Sequence, residues 1–319
     1  MPESQLLAGF DAGQTHTSCR LAWLDERGEL IPCTEDQGPG VSHLGAPGGE
    51  ARFQAALCGS LQAARDRAGL PAQTPLSAAG IGASGIEAGS AVQARGLALA
   101  AHCLELPEER VWLSGDEVAA LEGAFVSGPG ILLISGTGCI ALGRDAQGQT
   151  HRCSGWGWLL DGAGSAMDIG RDGLMLSVQM ADRRLPESAL KDALWQALSV
   201  GSAQELKAKV VSADFGPAGF ARLAPLVEAH AAAGDQEALQ VIRRSAAALA
   251  EMVSTIGREL QLHAPAVCGA GGAFTHLQLL RQELNAALEQ HCPGAHWQSG
   301  AGDACDGSLK KAAQAALRC

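Results

Sequence analysis

Short apolar segments alternate with turns and amphipathic stretches in the first part of the chain. Residues 6–10 and 17–24 predict the two arms of a β-hairpin, and residues 30–34 predict a third strand. Residues 38–49, rich in glycine and proline, predict a loop. Phe53, Leu57 and Leu61 recur at helical spacing within a helix predicted over residues 51–68. The pattern then predicts a strand at 76–82, a helix at 86–102, a strand at 111–113 and a helix at 116–125.

The same order of elements begins again at residue 130. Residues 130–135 and 140–144 predict a second hairpin, followed by a third strand at 149–153. A mostly helical stretch covers 165–262, and a strand at 265–268 precedes helices at 275–289 and 308–317. This order predicts an α/β fold with partly parallel sheets and a weak internal repeat. We expect a first domain over residues 1–115, a second over 116–305, and a last helix over 306–319 that can pack back on the first.

The composition excludes several classes of function. Of the 319 residues 47% are hydrophobic, which is sufficient for two cores. The formal net charge of −11 argues against nucleic acid and against an anionic membrane surface as partners. The chain has no uncharged apolar run of about 18 residues, and residues 1–5 lack the features of a signal peptide. The ten cysteines are scattered and form no CxxC pair, which indicates a cytoplasmic protein. The same pattern argues against a disulfide framework and against a zinc site.

Two turns of small and hydroxyl residues, each following a predicted strand, suit phosphate binding. The first turn reads Gly9-Phe10-Asp11-Ala12-Gly13-Gln14-Thr15-His16-Thr17, and the second reads Ser135-Gly136-Thr137-Gly138. Such turns expose backbone N–H groups at one point. Asp11 at a strand end can hold Mg²⁺ through water, and the hydroxyls of Thr15 and Thr17 can contact phosphate oxygens. An ordinary hairpin with a turn aspartate explains the first segment equally well, and a plain tight turn explains the second.

Asp116 lies where a short strand meets a helix. It can act as a general base aimed into a crevice. It can also cap the helix, which the spacing alone favours.

Two further glycine-rich runs are candidates for ligand contact. In Gly155-Trp156-Gly157-Trp158, followed by Asp161, the tryptophans can form a wall for a sugar ring or a buried aromatic pair. In Gly269-Ala270-Gly271-Gly272, glycines at a strand-to-helix turn can admit a planar ligand or serve close packing. His16, His43 and His151 are too scattered to indicate a metal site.

Together these runs resemble the acetate kinase–hexokinase–actin superfamily. More narrowly they resemble the N-acetylglucosamine kinase and BadF/BadG/BcrA/BcrD ATPase family, over nearly the whole chain. The segment from Asp11 to Thr17 matches the first phosphate motif, Gly115-Asp116 the catalytic aspartate, and Ser135 to Gly138 the second phosphate motif. Gly155-Trp156-Gly157 opens the family signature, and Gly269, Gly271 and Gly272 match the adenosine motif.

The resemblance implies two ribonuclease-H-like (actin-like ATPase) domains with ATP and Mg²⁺ in a central interdomain cleft. It implies transfer of the γ-phosphoryl group to a hydroxyl of an amino sugar or related hexose, with Asp116 as base and Asp11 at the metal. The nucleotide-binding residues would be Asp11, Gly13, Gln14, Thr15, His16, Thr17, Gly136, Thr137, Gly138, Gly269, Gly271 and Gly272. The sugar-binding residues would be Ser42, His43, Ser84, Gly85, Asp116, Gly155, Trp156 and Asp161. A homodimer is also consistent with the family.

The sugar side departs from the family pattern. Where the family usually reads Gly-Asp-Glu-Gly-Ser, the chain reads Asp161-Gly162-Ala163-Gly164-Ser165, and Ser42 takes the place of a sugar-contacting asparagine. Two alternatives therefore stay open: an ATPase that activates a partner redox enzyme, and a nucleotide-binding sensor without catalysis.

Overall fold

The structure, a computed structural model, describes residues 5–318. Residues 1–4, where no signal peptide is expected, and Cys319 lie outside the described residues. The chain forms two compact units. Unit 1 comprises the residues up to Ser127 and those from Gly300 onward, and unit 2 comprises Gly128–Ser299.

Each unit opens with three consecutive strands and continues with helices and further strands. The strands are β1 (Gln5–Ala12), β2 (His16–Leu24), β3 (Leu30–Pro39), β4 (Ala78–Ala83), β5 (Val111–Gly115), β6 (Gly130–Ser135), β7 (Cys139–Arg144), β8 (Thr150–Ser154), β9 (Ala266–Ala270) and β10 (His296–Trp297). The helices are α1 (Gly49–Ala68), α2 (Ala91–Leu104), α3 (Asp116–Ala124), α4 (Ala166–Ala181), α5 (Ala189–Leu198), α6 (Ala203–Val210), α7 (Gly216–Ala221), α8 (Ala224–Ala232), α9 (Gln236–Glu259), α10 (Gly272–His276), α11 (Gln278–His291) and α12 (Ala304–Ala316). No helix in the described part of the chain is long and apolar enough to cross a membrane.

Unit 1 is built on a five-stranded sheet of order β3-β2-β1-β4-β5. The first three strands are antiparallel neighbours, whereas β4 and β5 run parallel to β1. Phe10, Phe53, Leu57 and Ile81 belong to the core that this sheet forms with α1 and α2. Because β1, β4 and β5 run in the same direction, their carboxyl ends lie along one edge of the sheet, where α/β folds usually bind ligands.

Unit 2 repeats this topology. Its sheet has the order β8-β7-β6-β9-β10, with β6, β7 and β8 antiparallel and with β9 and β10 parallel to β6. Helix α9 buries Val241, Leu249, Val253 and Ile256 in the core of the unit, together with Ile131 of β6. The two sheets match strand for strand, so the predicted internal repeat and the α/β fold are confirmed.

Helix α12 packs on the face of the unit 1 sheet opposite α1. Leu309 contributes to a small core with Leu7 of β1. The approach is so close that a Cβ atom on Gly80 of β4 would lie 1.9 Å from the carbonyl oxygen of Ser308. The Ser308 hydroxyl donates a hydrogen bond of 2.8 Å to the carbonyl oxygen of Phe10. The last helix therefore completes unit 1 although it follows unit 2 in the chain.

The contact between α3 and α12 explains where unit 1 ends. A Cβ atom on Gly123 would lie 1.8 Å from the carbonyl oxygen of Asp303, and one on Gly307 would lie 1.9 Å from that of Ala119. This backbone-to-backbone packing joins α3 to unit 1, which ends at Ser127. The boundary expected from the sequence, at residue 116, would have placed α3 in the second domain.

Several element boundaries differ from the sequence prediction for local reasons. Strand β3 continues past its predicted end at residue 34 to Pro39, at the start of the predicted loop, because Gly38 pairs with Thr17 across the sheet. Helix α2 begins at Ala91, five residues later than predicted, since the Ser90 hydroxyl accepts a hydrogen bond from the Gln93 N–H at 3.1 Å and caps it.

In the C-terminal part, the helix predicted at 275–289 is two helices. Leu277 adopts an extended conformation between α10 and α11. The short β10 was not predicted. Helix α12 begins at Ala304 because Asp303 and Asp306 form a capping box.

We expect Gly80→Ala to lower the free energy of unfolding by about 1–3 kcal/mol, because the added methyl group would overlap the α12 backbone. Urea denaturation of the purified protein measures this change. Gly59→Ala is the matched control. Gly59 lies in α1, and its added Cβ would be at an ordinary contact distance of 3.4 Å from the Pro39 side chain. Alanine is the better helix former, so the control should be neutral or stabilising. Equal stability of the Gly80→Ala variant and the wild type would contradict the close packing of α12.

Candidate active site

Asp11 and Asp116 flank one glycine at the carboxyl edge of the unit 1 sheet. Asp11 of β1 is in register with Gly82 of β4, which is in register with Ser114 of β5. Asp116 is the first residue of α3. A Cβ atom on Gly82 would lie 2.4 Å from the Cβ of Ala119 and 3.3 Å from the Cα of Asp116. Only glycine lets α3 begin this close to β4, which brings the two carboxylates together.

Asp116 does not cap α3. Gly115 occupies the capping position, and Asp116 lies in the first turn, where its Oδ1 accepts a hydrogen bond of 3.0 Å from the Glu117 N–H. A carboxylate in the first turn is stabilised by the helix dipole. The capping role, which the spacing favoured, therefore does not describe this residue.

The first turn exposes the side chains of Gln14 and Thr15, which lie between β1 and β2, and of His16, the first residue of β2. Gly13 closes the turn by donating its N–H to the carbonyl oxygen of His16 at 3.1 Å. These residues are accessible to a ligand, as a phosphate-binding turn requires.

Thr17 requires a correction. It is completely buried, and its hydroxyl has no hydrogen-bond partner among the described residues. Thr17 pairs with Ala12, whereas Asp11 pairs with Ser18. Since neighbouring residues of a strand face opposite sides of the sheet, the Thr17 side chain points away from Asp11. The predicted phosphate contact of its hydroxyl does not fit this position.

The loop after β3 packs directly on the first turn. A Cβ atom on Gly40 would lie 2.2 Å from the carbonyl oxygen of Gln14. Val41 donates its N–H to the carbonyl oxygen of Gly13 at 2.9 Å. The two segments therefore hold each other in place through backbone contacts.

Two of the segments expected to bind sugar meet beside this turn. Ser84 donates its N–H to the carbonyl oxygen of Ala12 at 3.0 Å. The Cδ2 atom of the exposed His43 lies 3.3 Å from where a Cβ on Gly85 would be. Next to it, the Ser42 hydroxyl is buried, with no hydrogen-bond partner within residues 5–318. All four residues thus lie beside the edge that carries Asp11.

The environment of Asp11 disfavours a negative charge. Burial raises the pKa of its carboxyl to about 6, and the carboxylates of Asp116, Asp303 and Glu35 add to this shift, against an opposing effect of His16. A bound cation would relieve this repulsion. Among the residues that the structure describes, no group of three or more His, Cys, Asp or Glu side chains could hold a metal by itself.

Arg20 compensates part of this negative charge, and the sequence analysis missed it. Its guanidinium group forms hydrogen bonds of 2.8 Å with Asp303, 2.5 Å with Asp306 and 2.5 Å with Glu35. Although burial opposes the effect, the Arg20 hydrogen bond helps keep the pKa of Asp303 below its usual value. The capping spacing of Asp303 and Asp306 could have located this helix start, but nothing in the sequence pairs it with Arg20.

In unit 2 the second turn and the last glycine run lie side by side. Ile134 of β6 is in register with Ala270 of β9, so the segments that follow both strands are neighbours. Gly271 has a φ of 93°, and a Cβ there would lie 2.4 Å from the carbonyl oxygen of Ser135. The structure therefore brings together two motifs that are far apart in the sequence.

The second turn is fixed by its neighbours and open at its tip. Gly136 donates its N–H to the carbonyl oxygen of Gly138 at 2.8 Å, and Thr137 and Gly138 are exposed. The Ser135 hydroxyl donates to the carbonyl oxygen of Gly164 at 2.8 Å. The Ala166 N–H of α4 donates to the carbonyl oxygen of Gly136 at 2.8 Å.

The three glycines of the last run differ in role. A Cβ on Gly269 would lie 2.1 Å from the Phe274 ring, so this glycine serves close packing, one of the two interpretations considered. Gly271 makes the close approach to the second turn described above. Gly272 is exposed and begins α10. Gly271 and Gly272 are thus the two positions of the run next to the turn.

The tryptophan-containing loop of unit 2 is exposed rather than buried. Trp156 is 60% exposed and Trp158 40% exposed, which rules out a buried aromatic pair. The Arg152 guanidinium lies over the Trp156 ring, 4.6 Å from its centroid. Gly155 has a φ of 83°, and Oδ1 of Asp161 accepts a hydrogen bond of 2.8 Å from the Gly162 N–H.

Comparison with known proteins identifies the family of the chain. The family model of the BadF/BadG/BcrA/BcrD ATPase family matches residues 8–298. An N-acetylmuramic acid/N-acetylglucosamine kinase of Clostridium acetobutylicum is 25% identical over 186 residues, which cover 58% of this chain and 61% of the relative. An N-acetyl-D-glucosamine kinase of Dictyostelium discoideum is 29% identical over 175 residues, which cover 52% of this chain and 53% of the relative. The matches thus span between half and two thirds of these curated relatives.

A solved structure extends the similarity over the whole fold. It is the crystal structure of a protein from Chromobacterium violaceum provisionally named N-acetylglucosamine kinase. The two chains are 29% identical, with a TM-score of 0.73, and the alignment covers 99% of this chain and 100% of that one.

We expect Asp11→Asn to stabilise the ligand-free protein at about pH 7.5 by about 1–3 kcal/mol. The folded pKa of about 6 exceeds the usual 3.8, so the folded chain binds the proton more tightly than the unfolded chain. Protonated Asp11 therefore contributes to stability at low pH, and this contribution is lost as the pH rises from the usual pKa of 3.8 through the folded pKa of about 6. The gain from the substitution should therefore shrink as the pH falls from 7 toward 4. Urea denaturation across this pH range measures it.

Asp36→Asn serves as the control for this prediction. Asp36 forms a long ion pair of 3.6 Å with the exposed Arg67 and accepts a hydrogen bond of 2.8 Å from the Gln37 N–H, which asparagine can also accept, so its replacement should change stability by less than about 1 kcal/mol. If Asp11→Asn destabilised the protein at neutral pH, the repulsive environment of Asp11 would be disproved.

Proposed function

Because the chain belongs to the BadF/BadG/BcrA/BcrD ATPase family, we propose that it is an ATP-dependent sugar kinase. It transfers the γ-phosphoryl group of ATP to a hydroxyl of an amino sugar, such as N-acetylglucosamine or glucosamine, or of a related hexose. The observation that carries the proposal is the pair of carboxylates, Asp11 and Asp116, on either side of Gly82 beside an exposed turn. Both curated relatives are named as kinases of N-acetylglucosamine, which makes this sugar the first acceptor to test.

Asp116 is proposed as the general base. Its carboxylate takes the proton of the acceptor hydroxyl while the hydroxyl oxygen bonds to the γ-phosphorus and ADP leaves. Its place in the first turn of α3, next to Gly82, puts the carboxylate at the same sheet edge as Asp11.

Asp11 is proposed to hold Mg²⁺. Protein sites for this ion commonly provide one or two carboxylates, and phosphate oxygens and water complete the coordination. Asp11 fits because burial and neighbouring carboxylates leave its charge poorly compensated. When bound, Mg²⁺ neutralises negative charge on the phosphoryl groups.

The nucleotide contacts are assigned to accessible residues of each unit. In unit 1 they are Gly13, Gln14, Thr15 and His16, and in unit 2 they are Gly136, Thr137, Gly138, Gly271 and Gly272. Exposed backbone N–H groups in tight turns suit phosphate oxygens, and the glycines next to the second turn let a planar base approach the backbone.

The sugar contacts are assigned to Ser42, His43, Ser84 and Gly85 in unit 1 and to Gly155, Trp156 and Asp161 in unit 2. The unpartnered Ser42 hydroxyl is available to hydrogen-bond a sugar hydroxyl, and the Trp156 ring offers an apolar surface to a sugar face. We also propose that the protein works in the cytoplasm. We further propose that it forms a homodimer, and light scattering of the purified protein tests this by measuring its molar mass.

The decisive assay incubates the protein with ATP, Mg²⁺ and a panel of amino sugars and hexoses, and measures ADP release. We expect ADP release to depend on one sugar class and the phosphorylated sugar to appear in equal amount. Asp116→Asn should reduce kcat by about 10²–10⁴-fold, because the base is lost, and should leave ATP affinity nearly unchanged. Asp192→Asn, which changes an exposed carboxylate of α5, is the control and should retain full activity.

The other outcomes point to the alternatives. ATP hydrolysis that no sugar stimulates would favour an ATPase that activates a partner redox enzyme. ATP binding without any phosphoryl transfer would favour a sensor. A fully active Asp116→Asn variant would remove Asp116 from the mechanism.

A further inference from the structure

Cys58 and Cys103 meet where α1 packs on α2. The Cys58 Sγ lies 3.6 Å from the carbonyl oxygen of Cys103, so the two cysteines are in direct contact. Cys58 is exposed, and Cys103 is half-buried. An exposed thiol therefore lies against a second, half-buried cysteine.

The two helices run side by side in parallel at this contact. Glu50, in the first turn of α1, forms an ion pair with Arg95, in the first part of α2. Cys58 follows Glu50, and Cys103 follows Arg95, by the same number of residues. The two helices are thus joined at two places along their length, and the contact between the cysteines occurs in a packed helix interface rather than in a loop.

This arrangement has the features of a redox-sensitive thiol pair. A disulfide needs two sulfur atoms that can approach to bonding distance without backbone movement. In a reducing compartment such pairs are usually transient and redox-sensing rather than structural. Redox-sensor cysteines are typically accessible and lie next to a second cysteine that completes the disulfide.

We propose that Cys58 and Cys103 form a reversible redox site that closes to a disulfide on reaction with a hydroperoxide. The Cys58 thiolate attacks a peroxide oxygen and the O–O bond breaks. An alcohol or water leaves, and Cys58 becomes a sulfenic acid. The Cys103 sulfur then bonds to the Cys58 sulfur, and the hydroxyl group leaves as water with the Cys103 proton. Two electrons pass from the thiols to the peroxide, and an external dithiol returns them.

The two thiols have unequal roles in this sequence. Cys58 reacts first because it is exposed. Burial, together with the neighbouring Cys58, raises the pKa of Cys103 to about 12, so Cys103 stays protonated at neutral pH. Since the thiolate is the attacking form, the second bond forms slowly. The sulfenic acid on Cys58 should therefore last long enough for dimedone to trap it.

The position of the site links it to the candidate active site without depending on the proposed function. Helix α1 begins after the loop that carries Ser42 and His43, and α2 begins after the loop that carries Ser84 and Gly85. A disulfide between the helices would tie together the two elements that lead away from these loops. It would also lower the conformational entropy of the unfolded chain, which stabilises the folded protein.

The test treats the reduced full-length protein with hydrogen peroxide, alkylates the remaining thiols and maps the peptides by mass spectrometry. We expect a disulfide-linked peptide pair that joins Cys58 to Cys103, lighter by two hydrogen atoms than the reduced pair. Dithiothreitol should reverse it. The oxidised protein should melt on the order of 5 °C higher than the reduced protein.

Three variants separate the proposal from general thiol oxidation. Cys103→Ser should give a dimedone adduct on Cys58 and no linked peptide, and Cys58→Ser should give no linked peptide. Cys33→Ser removes another exposed thiol of unit 1 and should still form the linked pair. The proposal is overturned if Cys58 links to a second chain, or if Cys103 can still be alkylated after the Cys58 sulfenic acid has been consumed. It is also overturned if both thiols persist while Cys33 is oxidised.

Discussion

The packing of α12 on the unit 1 sheet is the contact on which the candidate active site depends. Gly80, Gly123 and Gly307 let backbone touch backbone, so the helix lies directly on β4 and against α3. The Ser308 hydroxyl bonds to the carbonyl oxygen of Phe10, the residue just before Asp11. The helix start brings Asp303 near the Asp11 carboxyl. One helix thus fixes the strand end that presents Asp11 and contributes part of the charge around it.

The same contact creates an electrostatic conflict that the fold only partly resolves. Arg20 binds Glu35, Asp303 and Asp306, which limits repulsion among these acids. Asp11 lies outside this network, and its pKa stays raised. A group that is unfavourable in the empty protein and favourable with a cation present is typical of a site selected for binding rather than for stability.

The sequence predicted most strands and helices, because alternation and helical spacing report which residues are buried. It also predicted the two glycine-rich turns and the place of Asp116 at a strand-to-helix junction. It could not predict contacts between distant segments, such as Arg20 with the start of α12 or Gly271 with Ser135. Thr17 shows a further limit: a hydroxyl next to a phosphate-type turn looks accessible in sequence, but strand alternation turns it into the core. The extent of β3 was missed because its pairing with β2 overrides the turn-forming tendency of Gly38 and Pro39.

The order of the segments along the chain has a consequence for biosynthesis. Unit 2 is a single continuous segment, so all of its strands are available once Ser299 has left the ribosome. Unit 1 emerges first, but its sheet keeps one apolar face uncovered until α12, which follows unit 2 in the chain, has been synthesised. The nascent chain therefore carries an incomplete first domain while unit 2 is being synthesised, a period in which exposed apolar surface invites aggregation or chaperone binding.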